Sequence, residues 1–428
     1  MDNISRELGF LLRDRVALPT LIVAFVLSSF SVLTGMAEVE AQRESIARLD
    51  ALMSEDRAVA LEAQSDAGGA AYYAYHLTYD PPSDLAFAAM GVRDTLPWKH
   101  RIKMLALEGQ IYEADIGNPE VSSLGRLDFA FVVSVLTPLL LILMLQDGIA
   151  SERRAGRYDL LVATRASGGD LFRLRAVLRA FLLFTALVIP FLVAGLISGA
   201  PVGGVALVVL ACLLSVGFWL LAGIFVTARM ASGSVSAAAL LGLWLVVALA
   251  VPALGKLAAE EMYSVPEGGE ILLAQREAVN DAWDLPKEVT MERFLARYPE
   301  WRPYAEVTRP FDWKWYYAFQ QVGDQSVEEM SQALREGVAK RDRFVRALSL
   351  ISPTLTAERL ITKAAQTDVS AYQRYEACVR SFHADLRNFH YPMLFGTAPY
   401  TPEEMSALPQ FTPCRGEFYQ VTPEEGLS

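Results

Sequence analysis

His383 and His390 stand seven residues apart in a stretch of helical spacing, with Asp385 between them, so two imidazoles would share one helix face near a carboxylate. Such a pair could begin a metal site. Two histidines fall short of the four ligands of a closed zinc site, and solvated histidines on a helix face are the plainer reading. No Ser/His/Asp or Cys/His grouping is legible at local spacing. The chain also lacks a GxxxxGK followed by Ser or Thr; its one Gly-Lys pair, Gly255-Lys256, has no upstream glycine, so no phosphate cradle is expected. Chemistry driven by ATP would need the nucleotide and its magnesium on another chain.

A different chemistry is offered by Gln146 to Ala180, QDGIASERRAGRYDLLVATRASGGDLFRLRAVLRA. Seven arginines (153, 154, 157, 165, 173, 175, 179) face Asp147, Glu152, Asp159 and Asp170, and apolar runs flank the segment on both sides. Clustered arginine in a short loop between membrane spans marks the cytoplasmic side. Within it, Tyr158 to Val162 is an apolar patch, and Ser167, Gly168 and Gly169 break the pattern before a second helical run, with Ser167 or Asp170 as the cap. Two readings stand: a basic loop that holds orientation, or a docking element for a cytoplasmic partner. Cys378 and Cys414 both fall in the last segment outside the spans, where an oxidising compartment would allow a disulfide; two free buried thiols are the alternative. Cys212 lies inside an apolar run.

The elements that carry these residues follow from hydropathy. At 428 residues and 53% hydrophobic, yet 20% charged, the chain reads as a membrane protein with large soluble portions. Residues 1–15 place Ile4, Leu8, Leu11 and Leu12 on one face, an amphipathic interfacial helix. Five uncharged runs follow: 16–36, 129–146 with a kink expected at Pro138, 181–200, 205–228 and 235–254. None contains Asp, Glu, Lys, Arg or His, which argues against proton- or sodium-coupled transport. Segments 37–128 and 255–428 then form two mainly helical external domains, and 147–180 is a cytoplasmic loop. With that topology the cytoplasmic segments hold 11 Lys and Arg against 7 Asp and Glu, the external ones 27 against 42. External acidity of this size argues against nucleic-acid binding. The fold class is an all-α polytopic membrane protein, its N-terminus cytoplasmic and its C-terminus external, in an inner (plasma) membrane.

The order Glu152, Gly156, Leu160-Leu161, Ser167 and a second Leu/Arg-rich helix, after a span ending LTPLLLILMLQDGIA, resembles the coupling loop of ABC-2 type transporter permeases. The helix at 1–15 resembles their elbow helix. The strings YYAYHLTYDPPSDLAF, LGRLDFAFVVSVLTPLLLIL and RALSLISPTLTAERLITKAAQTD are similar to one branch, which carries a large external insert of no assigned chemistry between its first two spans. Arg157 and Arg165 depart from the family, where a small Thr and a Pro are common. So does the count of spans: five with an external end, where six are usual. The resemblance implies an exporter subunit that binds no cofactor itself, pairs with a second permease as a homo- or heterodimer, and is driven by a separate ABC ATPase. Its coupling residues would be Glu152, Arg153, Arg154, Gly156, Arg157, Tyr158, Leu160, Leu161 and Ser167.

Smaller expectations complete the reading. Gly195 and Gly199 form a GxxxG that would let another helix approach. SVEE at 326–329 reads as a capping box, and Val369 to Phe389 keeps helical spacing up to Pro392. The aromatic run FDWKWYYAF at 311–319 suits a domain core, a headgroup belt or a contact surface. A scaffold that passes force to periplasmic partners is the alternative to an exporter, and an intramembrane enzyme a weaker third.

Overall fold

The computed structural model describes residues 3–113, 127–163, 169–230 and 232–414. Its helices, in order, are α1 (Asn3–Leu11), α2 (Ala17–Glu62), α3 (Ala67–Tyr73) and α4 (Leu107–Tyr112). Next come α5 (Phe129–Phe131, Val132–Leu136 and Thr137–Leu145 in one rod), α6 (Ala150–Arg154), α7 (Tyr158–Ala163), α8 (Gly169–Ile197) and α9 (Val202–Arg229). The last rod of the bundle is α10 (Gly233–Trp244, Leu245–Ala250 and Val251–Met262). Beyond it lie α11 (Gly268–Asp284), α12 (Lys287–Arg297), α13 (Trp313–Ser326), α14 (Glu328–Ser349), α15 (Pro353–Ala365), α16 (Val369–Leu394) and α17 (Pro402–Met405). A two-stranded antiparallel ribbon, β1 (His76–Tyr79) and β2 (Lys99–Ile102), pairs His76 with Ile102 and Tyr79 with Lys99.

Among the described residues, five helices are long and apolar enough to cross a membrane: α2, α5 with its extension to Arg154, α8, α9 and α10. This is a mostly helical membrane protein. The first span does not stop at the bilayer: α2 is one 46-residue helix, roughly 69 Å long, whose far half lies against the head. Gly35 permits this, because a Cβ there would sit 2.1 Å from the Phe87 carbonyl oxygen.

Two spans contain wide, π-type turns, Val132–Leu136 and Leu245–Ala250, each just ahead of a proline, Pro138 and Pro252. A proline donates no N–H and crowds the preceding turn, so carbonyls are freed that hydrocarbon cannot satisfy. Side chains take them up. Thr137 Oγ1 donates to the Val132 carbonyl (2.8 Å), Ser215 Oγ to Val133 (3.1 Å) and Trp244 Nε1 to Val135 (3.1 Å). In α10 the Val247 carbonyl accepts from Ser352 Oγ (3.2 Å), which also caps α15 by accepting from the Leu355 N–H. Hence α15 is wedged among the spans: its Ala357, Ile361 and Ala365 are fully buried in one cluster with Val133, Val208, Ala211 and Cys212.

Segments 37–128 and 255–428, drawn apart from sequence, share a core. Ala71, Ile102, Met104 and Leu107 from the first pack with Phe294, Trp315, Phe319, Val379 and Leu386 from the second. Polar bonds cross the same seam: Tyr317 Oη to the Gly68 carbonyl (2.9 Å), and the Leu107 and Glu108 N–H groups to Asp324 (2.8 and 3.0 Å). We call this unit the head. Of the three readings of the aromatic run, core holds for Trp315, Tyr317 and Phe319, which are buried.

Three local expectations are corrected. Gly199 lies beyond the end of α8 at φ +70, closing the helix through the Ala200 N–H to Gly195 carbonyl bond (2.9 Å), so the GxxxG is not a continuous packing stripe. Gly195 alone faces a neighbour, Val205 of α9, at 3.6 Å from an added Cβ. Ser326 ends α13 and bonds the Gly323 carbonyl, while α14 starts after Val327 without a side-chain cap. Finally, α16 runs through Pro392 to Leu394. Cys378 and Cys414 are paired, their Cα atoms 6.1 Å apart.

Candidate functional site

The arginine-rich segment is less of a loop than its composition suggests. Helix α8 begins at Gly169, so Arg173, Arg175 and Arg179 ride on the foot of a span rather than on a connector. Ahead of them, α6 and α7 form two short helices joined at Gly156, whose φ of +66 suits the reversal and whose surroundings are open.

Ion pairs staple these pieces together. Arg175 donates to Glu7 of α1 (2.9 Å) and to Glu152 of α6 (3.2 Å), and the same Glu152 accepts from Arg157 (2.8 Å). One turn along α8, Arg179 reaches Asp14 (2.6 Å) and the Met144 carbonyl at the end of α5. Asp14 in turn accepts the Val16 and Ala17 N–H groups that open α2. Two arginines thus tie the first, second and third spans and both interfacial helices at one level. Glu7 is only 3% exposed, against the sequence expectation of a polar outer face for α1. Burying a carboxylate there is tolerable because Arg175 compensates it.

The remaining members lie nearer the surface. Arg154 pairs with Asp147 (2.6 Å), and Arg153 lies over the Tyr158 ring, 4.7 Å from its centroid. Tyr158 stacks on Phe172 of α8 at 5.6 Å, which pins α7 to the span. Leu160 and Leu161 fall on α7. Ser167 and Arg165 lie outside the described residues. Between these elements and α9 is a cavity of about 200 Å³, its lining including Leu145, Ile149, Ile224, Arg153, Arg173 and Arg179.

Of the expected coupling residues, the structure therefore brings Glu152, Arg153, Arg154, Arg157 and Tyr158 into one assembly. Sequence reasoning missed its acidic half, Glu7 and Asp14, and the aromatic Phe172. A signal existed: residues 1–15 carry three carboxylates, Asp2, Glu7 and Asp14, against three arginines.

The histidines are not the solvated helix-face pair expected from sequence. All four are buried in the head. His383 Nε2 lies 2.8 Å from the Leu105 carbonyl, with Arg387 beside its other nitrogen (3.3 Å). His390 packs edge-on to Phe389, and among the described residues neither of its nitrogens has a hydrogen-bond partner. Burial lowers His76 to about 3 and His100 and His390 to about 4, and holds His383 well below its ordinary value. Among the described residues no group of three metal-binding side chains comes together. The head's own charge centre is Glu108: burial would raise its carboxyl, but bidentate bonds from Arg380 (2.8 and 3.0 Å) and one from Ser331 (2.6 Å) hold it below the usual range.

No curated protein and no solved structure matches the chain. A family model described as a domain of unknown function, DUF3526, matches residues 269–413, the second of the two segments that build the head.

Proposed function

We propose that this chain is the membrane-spanning subunit of an ABC-2 type exporter, with a separate ATPase docking from the cytoplasm on α6 and α7. In this reading the arginine-rich end is cytoplasmic and the head lies outside. The observation that carries it is the stapling of α6 to α1, α5 and α8 through Glu152, Arg175 and Arg179. A push on α6 and α7 is then delivered to the feet of three spans together, as a coupling element requires. The cargo path would run beside α15, which packs among the spans against α5 and α9.

Charge reversal of Arg153 and Arg154 together, or removal of Leu160 and Leu161, should abolish co-purification of an ATPase from native membranes while the chain still inserts. Undiminished co-purification sinks the docking role. A second reading, a scaffold that passes force without cargo, draws on α2, whose single rod runs from this end into the head. Transport of a labelled substrate in proteoliposomes separates the two.

A further inference from the structure

One stretch of the head runs against its composition. The two segments that build the head are rich in carboxylates, yet 95–107 contains none and sets Lys99, Arg101 and Lys103 at alternate positions on and just after β2. Alternation along a strand puts all three on one face. Each cation rests on a ring: Lys99 on Trp98 (4.8 Å to the centroid), Arg101 on Tyr75 (3.5 Å) and Lys103 on Tyr75 and Tyr72 (4.1 and 4.8 Å). A ring orients a cation but carries no net charge to cancel it. Among the described residues no carboxylate pairs with any of the three.

The backbone of the same strand is open along one side. The Asp80 N–H bonds the Trp98 carbonyl (2.8 Å), which with the register makes Trp98, His100 and Ile102 the bonded positions and turns the N–H and C=O of Lys99 and Arg101 away from β1. At Lys103 this outer edge is already covered. Gln110 Oε1 accepts from the Lys103 N–H (2.8 Å) and Nε2 donates to its carbonyl (3.2 Å), as a peptide unit of a third strand would. At the other end Pro97 has no N–H to offer. Between these two stops the outward groups of Lys99 and Arg101 take no hydrogen bond among the described residues, and both residues are exposed. Lysine on a short edge also guards a strand against stray pairing. That guard is selective by sign: it repels a basic strand and draws an acidic one.

We infer that the outer edge of β2 docks an extended acidic peptide segment of a partner protein, which adds as a third strand and sets its carboxylates against Lys99, Arg101 and Lys103. Unpaired backbone groups select a peptide, and unpaired cations select its charge. The inference does not rest on the exporter reading; a scaffold would carry the same edge.

The test uses the full chain in non-ionic detergent and a fluorescein-labelled octapeptide of alternating Glu and Thr, with binding read by anisotropy. In an added strand the residues bonded to Lys99 and Arg101 share their face, so the glutamates would both meet the cations and donate the edge bonds. Wild type should bind this peptide saturably. The same peptide N-methylated at its glutamates, equal in charge but without those donors, should bind at least about tenfold more weakly. Lys99→Gln with Arg101→Gln should weaken binding about tenfold. Lys256→Gln with Lys340→Gln, which removes two exposed charges on α10 and α14, should leave it unchanged. Each variant is first matched to wild type in melting temperature. No saturable binding, equal binding of the N-methylated peptide, undiminished binding by the first double variant, or an equal loss in the second overturns the site. Polyglucuronate that competes better than the peptide at matched charge overturns the peptide assignment in favour of an acidic polysaccharide.

Discussion

The chain gathers arginine and carboxylate at two opposite ends, and the two gatherings are built differently. In the head, Arg380 gives two bonds to Glu108, which Ser331 also serves, and a longer one to Glu376 one turn back on its own helix. At the foot of the bundle, Arg175 divides itself between Glu7 and Glu152, and Arg179 between Asp14 and a backbone carbonyl. The first is a closed cluster around one buried carboxylate inside a packed core; the second is a chain of bonds across separate elements, opening on a cavity. Concentrating the bonds locks two segments of sequence into one unit. Distributing them joins several rods at one level.

Acid should break this comparison most strongly, because it strikes the head alone. Three buried rings, His76, His100 and His390, are held near 3 to 4 when folded, against 6.5 when free. The folded head prefers them neutral, so their contribution is full above 6.5 and is lost as pH falls from there toward 4 and then 3. At on the order of 3 kcal/mol per ring, three rings are enough to unfold a domain of ordinary stability. Asp324 works the other way: burial pushes its carboxyl up to about 6, so it favours the folded state at low pH and loses that as pH rises through 6. One carboxyl does not offset three rings. Between pH 6.5 and 4 the head should become sensitive to protease while the helical circular dichroism of the spans persists. A head that resists protease down to pH 4 refutes the burial argument.

A second contrast tests closed against distributed pairing directly. Arg380→Met leaves the buried Glu108 with Ser331 and the more distant Arg335 (3.9 Å), and breaking such a buried pair costs about 3 kcal/mol or more. Arg175→Met removes a bond from each of Glu7 and Glu152, but Glu152 keeps Arg157 and the loss is spread over two carboxylates, so the cost should be about 1.5–3 kcal/mol. Thermal unfolding of the two variants, read by protease at the head and by dichroism for the spans, gives the order. Equal losses would mean that the foot is as closed as the head.

How much of this was legible depended on whether the cause was local. Five uncharged runs announce five spans, since hydrocarbon thickness acts on each segment alone. The cluster at 146–180 was visible as charge, but its partners were not. Glu7 and Asp14 meet Arg175 and Arg179 only because α1 folds under α8, more than 160 residues away in sequence. The same holds for the head: nothing near Asp324 indicates that its carboxylate will hold the start of α4. Gly199 shows the opposite failure, where a legible motif had the wrong cause, a left-handed helix end and not a packing stripe. The wedge of α15 among the spans was also hidden, because a 13-residue helix bearing Glu358, Arg359 and Lys363 does not look like something that enters a bundle.

That wedge offers the finest way to sharpen the comparison, since one hydroxyl there bonds both a span and the start of α15. Ser352 Oγ donates to the Val247 carbonyl in the wide turn of α10 and accepts from Leu355 to start α15. Ser352→Ala removes both, and a lost cap with a lost buried bond costs about 1–2 kcal/mol. Trp244→Phe strands the Val135 carbonyl in the other wide turn, at about 1 kcal/mol, without touching α15. If the wedge couples the two ends, Ser352→Ala should loosen the head and the span bundle together, raising hydrogen exchange in α15 and in α10 near Val247. Trp244→Phe should raise it in α5 and α10 only. Exchange that rises in α15 alone after Ser352→Ala would mean that the head merely rests on the spans, and that motion at the arginine-rich end reaches it through α2.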